Sequence, residues 1–202
     1  MIIHKNEIAK FEERYRTAFI NSLAGFRQAV LVGTRSLEGK SNLAIFNSLI
    51  HLGAHPALYG LISRPDTVQR DTLQNILATG EYTLNYIQAS HYKKAHQTSA
   101  RYDKGISEFE QAGFTPFYHT GFGAPFVEEA VVKIAMKFEE SIRITMNGTI
   151  LIVGSIMMVD ILDGMVGEDG FVNLSRADVL ISQGLDTYFT SNEVGRLPYA
   201  KP

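Results

Sequence analysis

The sequence predicts a mainly β protein, a β-barrel with added helices in meander or Greek-key order. Short runs rich in β-branched and aromatic residues recur along the chain, bounded by Gly, Pro, Asn and Asp clusters. Val132, Ile134, Met136 and Phe138 alternate with Lys133, Ala135 and Lys137. Ile142 and Ile144 keep that phase up to Asn147-Gly148, a type I′ hairpin signal. Helical periodicity is confined to a few short segments, which disfavours the regular alternation of a parallel sheet.

Taken in order, Phe11, Tyr15, Ala18, Phe19, Ser22 and Leu23 recur at helical spacing, so 8–23 reads as an amphipathic helix ended by Gly25. Residues 29–34, 43–52 and 57–62 read as strands, separated by Glu38-Gly39-Lys40 and His55-Pro56. From Asp71 the period changes: Leu73, Ile76 and Leu77 form a helical stripe that stops at Gly80. Asp71 occupies the expected N-cap, with Gln74 as its reciprocal partner. Tyr82, Leu84 and Tyr86 return to strand alternation. Residues 88–130 form a surface excursion, in which Ser107-x-x-Glu110 predicts a capping box for a short helix ending at Gly113. Residues 149–161 are the returning strand of the hairpin, apolar enough to be covered on both faces. Without repeat, linker or low-complexity tract, residues 1–202 read as a single domain with an N-terminal helix and a C-terminal tail.

Composition narrows the function. A chain of 202 residues, 45% hydrophobic and 20% charged, can bury one sizeable core. A net charge of -2 without a Lys/Arg run argues against nucleic acid and against an anionic membrane surface. The N-terminus lacks a signal-peptide core, and the most apolar stretch, 150–159, is interrupted by Gly154 and Ser155. It is far short of the roughly 20 residues that span a bilayer, so a soluble, cytoplasmic protein is expected. There is no cysteine, hence no disulfide, thiolate zinc site or thiol redox chemistry. Redox work by this chain requires a borrowed cofactor.

Two constellations stand out. The first is the polar joint from Ser63 to Ile76. Arg64 at a strand end and Arg70 before a helix start face the positive end of a helix dipole, beside the Thr72 hydroxyl. That combination suits a phosphate monoester; the alternative is a capped helix start whose arginines are solvated or paired with Asp66 and Asp71. The second is Ser41-Asn42-Leu43-Ala44-Ile45-Phe46-Asn47-Ser48. Asn42, Asn47 and Ser48 offer hydrogen-bonding groups to the edge of a planar heterocycle, and Ala44 and Ile45 a small apolar face, unless this is simply a strand leaving a turn. Neither His51/His55 nor His91/His96 gives a metal-ligand pattern, and no nucleophile elbow or P-loop is present. Gly121-Phe122-Gly123 lacks the helix of a dinucleotide fingerprint.

In this order and spacing the segments resemble the flavin reductase-like family, the FMN-binding split barrels. The resemblance runs through Asn42-Leu43-Ala44-Ile45-Phe46-Asn47, His55-Pro56-Ala57-Leu58, Ile62-Ser63-Arg64-Pro65 and Arg70-Asp71-Thr72-Leu73-Gln74-Asn75-Ile76. It continues through Thr79-Gly80-Glu81-Tyr82-Thr83-Leu84-Asn85 and Ser107-Glu108-Phe109-Glu110-Gln111-Ala112-Gly113, and covers about residues 20–160. It implies a homodimer of Greek-key split β-barrels with one FMN per subunit, bound non-covalently near the interface. The implied flavin contacts are Asn42, Ala44, Ile45, Phe46 and Asn47. The implied phosphate contacts are Ser63, Arg64, Arg70, Asp71 and Thr72, with Ser99, Ala100 and Arg101 joining from the excursion. Many relatives have proline in place of Ile45, a small hydroxyl residue in place of Asn47, and aspartate-proline-proline in place of His55-Pro56-Ala57.

The expected activity is an FMN-dependent oxidoreductase that takes hydride from NAD(P)H and passes electrons to free flavin or a small acceptor. The alternatives are a flavin-binding electron carrier or storage protein, or an accessory dimer that has lost the flavin. Such chemistry needs orientation rather than a protein nucleophile, which suits a chain without triads or metal motifs.

Overall fold

The structure is a computed structural model and describes residues 1–67, 70–103 and 106–201. The chain runs through α1 (Lys5–Ile8), α2 (Glu13–Leu23), β1 (Arg27–Gln28), β2 (Val30–Arg35), β3 (Ser41–Phe46), β4 (Leu49–Ala54) and β5 (Ala57–Ser63). Then come α3 (Asp71–Thr79), β6 (Glu81–Tyr86), α4 (Tyr92–Gln97), α5 (Glu108–Ala112), β7 (Pro116–Phe117) and β8 (Phe126–Val127). The long hairpin β9 (Val132–Arg143) and β10 (Ile150–Ile161) precedes β11 (Ile181–Gln183) and β12 (Thr187–Phe189).

Seven strands pair in the order β3-β2-β6-β9-β10-β5-β4, every pair antiparallel. The two edge strands, β3 and β4, are consecutive in the chain and separated by only Asn47 and Ser48. Three residue steps span no more than about 11 Å, so the sheet must curl until its edges nearly meet at that corner. The predicted β-barrel architecture is therefore what the chain adopts. Small sheets β1-β11-β12 and β7-β8 complete it. Val30, Val32, Tyr82, Leu84, Ile134, Met136 and Ile152 fill the main core, which α3 closes with Leu73 and Ile76. A second cluster, built on Leu31, Leu43, Ile87, Phe109 and Leu180, lies with α4 and α5.

Local details depart from the sequence expectations in instructive ways. The helix expected over 8–23 is broken before Glu13, because the Glu12 carboxylate caps α2 by accepting from the Arg14 and Tyr15 amides at 2.9 and 3.1 Å. The strand expected over 43–52 is two strands. At their junction the Ser48 hydroxyl donates to the Ile62 carbonyl at 3.0 Å and accepts from the Ile62 amide at 3.2 Å, which replaces the strand ladder at the corner. Asp71 is the first residue of α3 rather than its cap; Arg70 holds the N-cap position, with no side-chain cap bond. Ser107 likewise makes no cap bond to α5, and its hydroxyl instead pairs with that of Ser41 at 3.1 Å. Both helices end as expected, on Gly80 and Gly113 in the left-handed region.

The β9–β10 connection is not a type I′ turn, which needs two residues of positive φ. Only Gly148 has one, and the wider loop is closed by the Gly148 amide on the Ile144 carbonyl at 2.8 Å. The returning strand is covered on both faces only in its first half: Ile150, Ile152 and Val153 are buried, whereas Met157 and Val159 are exposed.

Gly154 marks a register shift in β10. A Cβ there would overlap the Tyr82 hydroxyl and lie 2.9 Å from the Lys137 carbonyl oxygen. Gly154→Ala should therefore cost about 1 to 3 kcal/mol in urea unfolding, the range for overpacked cores, and less in a Tyr82→Phe background. Equal stability of Gly154→Ala and wild type would contradict this packing.

Candidate functional site

The site begins with a polar network that fastens α3 to the sheet. Thr34 on β2, Asn42 on β3, and Thr72 and Asn75 on α3 are all buried. Buried polar groups must find partners, and these find one another. The Asn42 amide is best satisfied with Oδ1 accepting from the Thr72 and Thr34 hydroxyls, at 3.0 and 3.3 Å, and Nδ2 donating to Glu108 Oε2 at 3.3 Å. Asn75 Nδ2 donates to Thr34 Oγ1 at 3.1 Å, and the Leu43 amide donates to Glu108 Oε2 at 3.1 Å. Burial, aided by the nearby Asp71 charge, raises the Glu108 carboxyl above its ordinary value, and the Leu43 amide works against that rise.

Fastened in this way, α3 points its N-terminus at the end of β5. Arg70 lies at the helix start, half-buried, with Nε donating to the Pro65 carbonyl at 3.0 Å. Its guanidinium holds its proton less tightly than usual, first because of burial and then because Arg64 and Arg101 lie close enough to repel it. Arg64, after β5, and Arg101, after α4, thus lie within electrostatic reach of Arg70. Asp66, which the sequence offered as a partner for them, is engaged elsewhere: Arg143 donates to its two oxygens at 2.7 and 3.1 Å. Arg143 holds the Asp66 carboxyl below its ordinary range. The ion pairs among the described residues leave Arg64, Arg70 and Arg101 out. Such a concentration of positive charge at a helix N-terminus attracts an anion.

The structure sorts the sequence candidates into three groups. Arg64 and Arg101 lie within electrostatic reach of Arg70. Thr72 and Asn42 face inward into the network, and Ser63 is buried with its hydroxyl on the Arg64 carbonyl at 3.2 Å. Asp71 opens α3 near Glu108. Ser99 and Ala100 are exposed in the turn after α4, where the Ser99 hydroxyl donates to the His96 carbonyl at 2.7 Å. On β3, Ala44, Ile45 and Phe46 are half-buried, with Ile45 against the second cluster and Phe46 against the main core. Asn47 Nδ2 donates across the corner to the Gly184 carbonyl at 2.7 Å. Val68 and Gln69, in the middle of the polar joint, lie outside the described residues.

Sequence reasoning missed Glu108, Thr34 and Asn75. The pattern at Ser107-x-x-Glu110 drew attention to a cap instead of to Glu108. Also unseen was a groove of about 730 Å³ between α2 and the turn at 183–187, whose walls are some 160 residues apart in the chain. A second cavity, of about 430 Å³, lies between the β2–β3 turn, Glu81 and Gly123. Neither includes Arg64, Arg70 or Arg101; Arg64 and Arg101 are exposed and Arg70 is half-buried.

The profile of the family described as "flavin reductase like domain" matches residues 24–176. A candidate flavin reductase with split barrel domain from Shewanella frigidimarina NCIMB 400 is 47% identical, with a TM-score of 0.95, over 99% of this chain and 100% of that one. Nitrilotriacetate monooxygenase component B from Bacillus cereus shares the fold, with a TM-score of 0.84 and 20% identity over 98% of both chains. A protein of Aquifex aeolicus without an assigned function is 26% identical over 147 residues, 72% of this chain and 74% of that protein.

Glu108 also gives a pH signature. A carboxyl whose folded pKa is raised contributes stability that is complete below its unfolded value, near 4.5, and is lost as pH rises through the folded value. Glu108→Gln removes this loss, so the variant should gain on wild type in urea unfolding as pH rises past the ordinary carboxyl value of 4.5. A difference independent of pH would contradict the raised proton affinity.

Proposed function

The chain belongs to the flavin reductase-like domain family, and from that membership we propose that it is an FMN-dependent oxidoreductase. It takes electrons from NAD(P)H and passes them to free flavin or another small acceptor. The observation that carries the cofactor assignment is the meeting of Arg64, Arg70 and Arg101 at the N-terminus of α3, with Asp66 held away by Arg143. A phosphate monoester carries about two negative charges near neutral pH, which is the charge such a cluster lacks. The FMN phosphate would lie on these arginines and on the segment formed by Ser63, Asp71 and Thr72, with Ser99 and Ala100 alongside. The flavin ring would follow β3 past Asn42, Ala44, Ile45 and Phe46 to Asn47, non-covalently bound.

FMN, when bound, supplies the two-electron chemistry; the chain supplies binding and alignment. Asn42, locked by three hydroxyl or carboxylate partners, sets the position of β3 more than it touches a ligand. Asn47 keeps its amide oxygen available beside the ring while its nitrogen is engaged with Gly184. The barrel is proposed to act in the cytoplasm as a homodimer. Supporting the dimer, the edge strand β4 leaves Ile50 and Leu52 exposed and the β9–β10 hairpin leaves Ile142, Met157 and Val159 exposed, apolar surface of the kind found at interaction faces. Among the described residues, no helix is long and apolar enough to cross a membrane.

Arg64→Ala and Arg70→Ala should each weaken FMN binding by about 1 to 3 kcal/mol, the range for hydrogen bonds to charged groups, and leave riboflavin binding nearly unchanged. Unchanged FMN affinity in the double variant would exclude the phosphate site. Mixed anaerobically with NADH or NADPH, the FMN-loaded protein should bleach faster than in buffer; bleaching no faster with either donor leaves an electron carrier or storage protein.

A further inference from the structure

The groove between α2 and the turn at 183–187 lies outside the proposed FMN contacts. No residue of α2 is buried, although the helix is amphipathic. Its apolar face, with Tyr15, Ala18 and Phe19, forms one wall. The Tyr15 and Phe19 rings lie nearly parallel, 8° apart with centroids at 6.3 Å. Phe11 sets its ring edge-on against both, at 4.8 and 5.5 Å. The facing wall is the turn at 183–187, tied to α2 by Gln183 Nε2 donating to the Ser22 carbonyl at 3.3 Å. At about 730 Å³ the groove is within the roughly 300 to 1,000 Å³ of small-molecule sites.

Charge decides what kind of molecule it takes. Glu12, Glu13 and Asp186 line the groove, against Arg14 alone. The Glu12 carboxyl is held below its ordinary range by the two amides it caps, so it stays ionised. An anion entering here meets net negative charge, whereas an aromatic ring meets Tyr15 and Phe19. The same turn carries the Gly184 carbonyl that Asn47 binds, so the groove opens one hydrogen bond away from the end of β3 assigned to the flavin ring.

We infer that this groove is a binding site for a planar aromatic small molecule that is uncharged or cationic, the class of acceptor served by the flavin beside Asn47. The pyrophosphate of a dinucleotide is unsuited to it. The binding site stands on the groove alone; the acceptor role rests on the FMN reading.

The test uses the full chain, with and without FMN, and two unreactive probes of similar shape, 2-naphthol and 2-naphthalenesulfonate, titrated by calorimetry. 2-Naphthol should bind at one site per chain in both forms, and the sulfonate about tenfold more weakly. Tyr15→Ala, at an exposed position, should weaken 2-naphthol about fivefold and leave FMN affinity unchanged. Glu13→Gln combined with Asp186→Asn should bring the sulfonate towards 2-naphthol. The site is overturned if 2-naphthol does not bind, if the sulfonate binds equally well to wild type, or if Tyr15→Ala has no effect. If the probes behave as expected and FMN does not bind, the groove stands as a site and the acceptor role falls.

Discussion

The seating of α3 on the sheet depends on one buried hydrogen-bond network. Thr34, Asn42, Thr72, Asn75 and Glu108 come from two strands and two helices, and each satisfies a polar group that would otherwise be stranded. A satisfied network of this kind specifies geometry more sharply than an apolar contact, because any slip leaves an unpaired donor or acceptor at a cost of about 1 to 3 kcal/mol. Its consequence reaches the surface. With α3 fixed against β2 and β3, Arg70 and the helix N-terminus meet the end of β5, and β3 presents its half-buried face next to them.

The resulting site is electrostatically unbalanced by construction. Arg64 and Arg101 both repel Arg70, and Asp66, two residues after Arg64, is bound to Arg143 in a bidentate pair. Like charges gathered together are unfavourable to folding and favourable to an anion, so the arrangement exchanges some stability for binding. The same logic, with the sign reversed, shapes the groove by α2, where carboxylates outnumber Arg14. One end of the proposed site would favour phosphate, and the neighbouring groove would reject it.

Much of this was legible in the sequence because it is local. Alternation at 132–144, the glycine stops at Gly80 and Gly113, and the strand runs on either side of His55-Pro56 all follow from short-range sterics and side-chain period. The chain does pass from strand to helix near Arg70, with Arg64 and Arg101 within electrostatic reach of it. The corner at Asn47-Ser48 was not legible, since two polar residues between β-rich runs read as part of one strand when the missing ladder bonds are supplied by a serine hydroxyl across the sheet. Nor was the inward turn of Asn42 and Thr72, because Thr34 and Glu108, their partners, are set by the tertiary fold. Two caps predicted from spacing failed for a related reason: Ser107 found a better partner in Ser41, and Arg70 took the cap position ahead of Asp71.

Whether a phosphate dianion rests on Arg64, Arg70 and Arg101 can be read from the phosphate itself. Phosphorus-31 NMR of the FMN-loaded protein, followed against pH, reads its second ionisation directly. A free phosphate monoester titrates near pH 6, and one held by three guanidiniums stays dianionic well below that value. A bound resonance that does not move between about pH 7 and about pH 5.5 is the expected result. A bound phosphate that titrates like free FMN would contradict it.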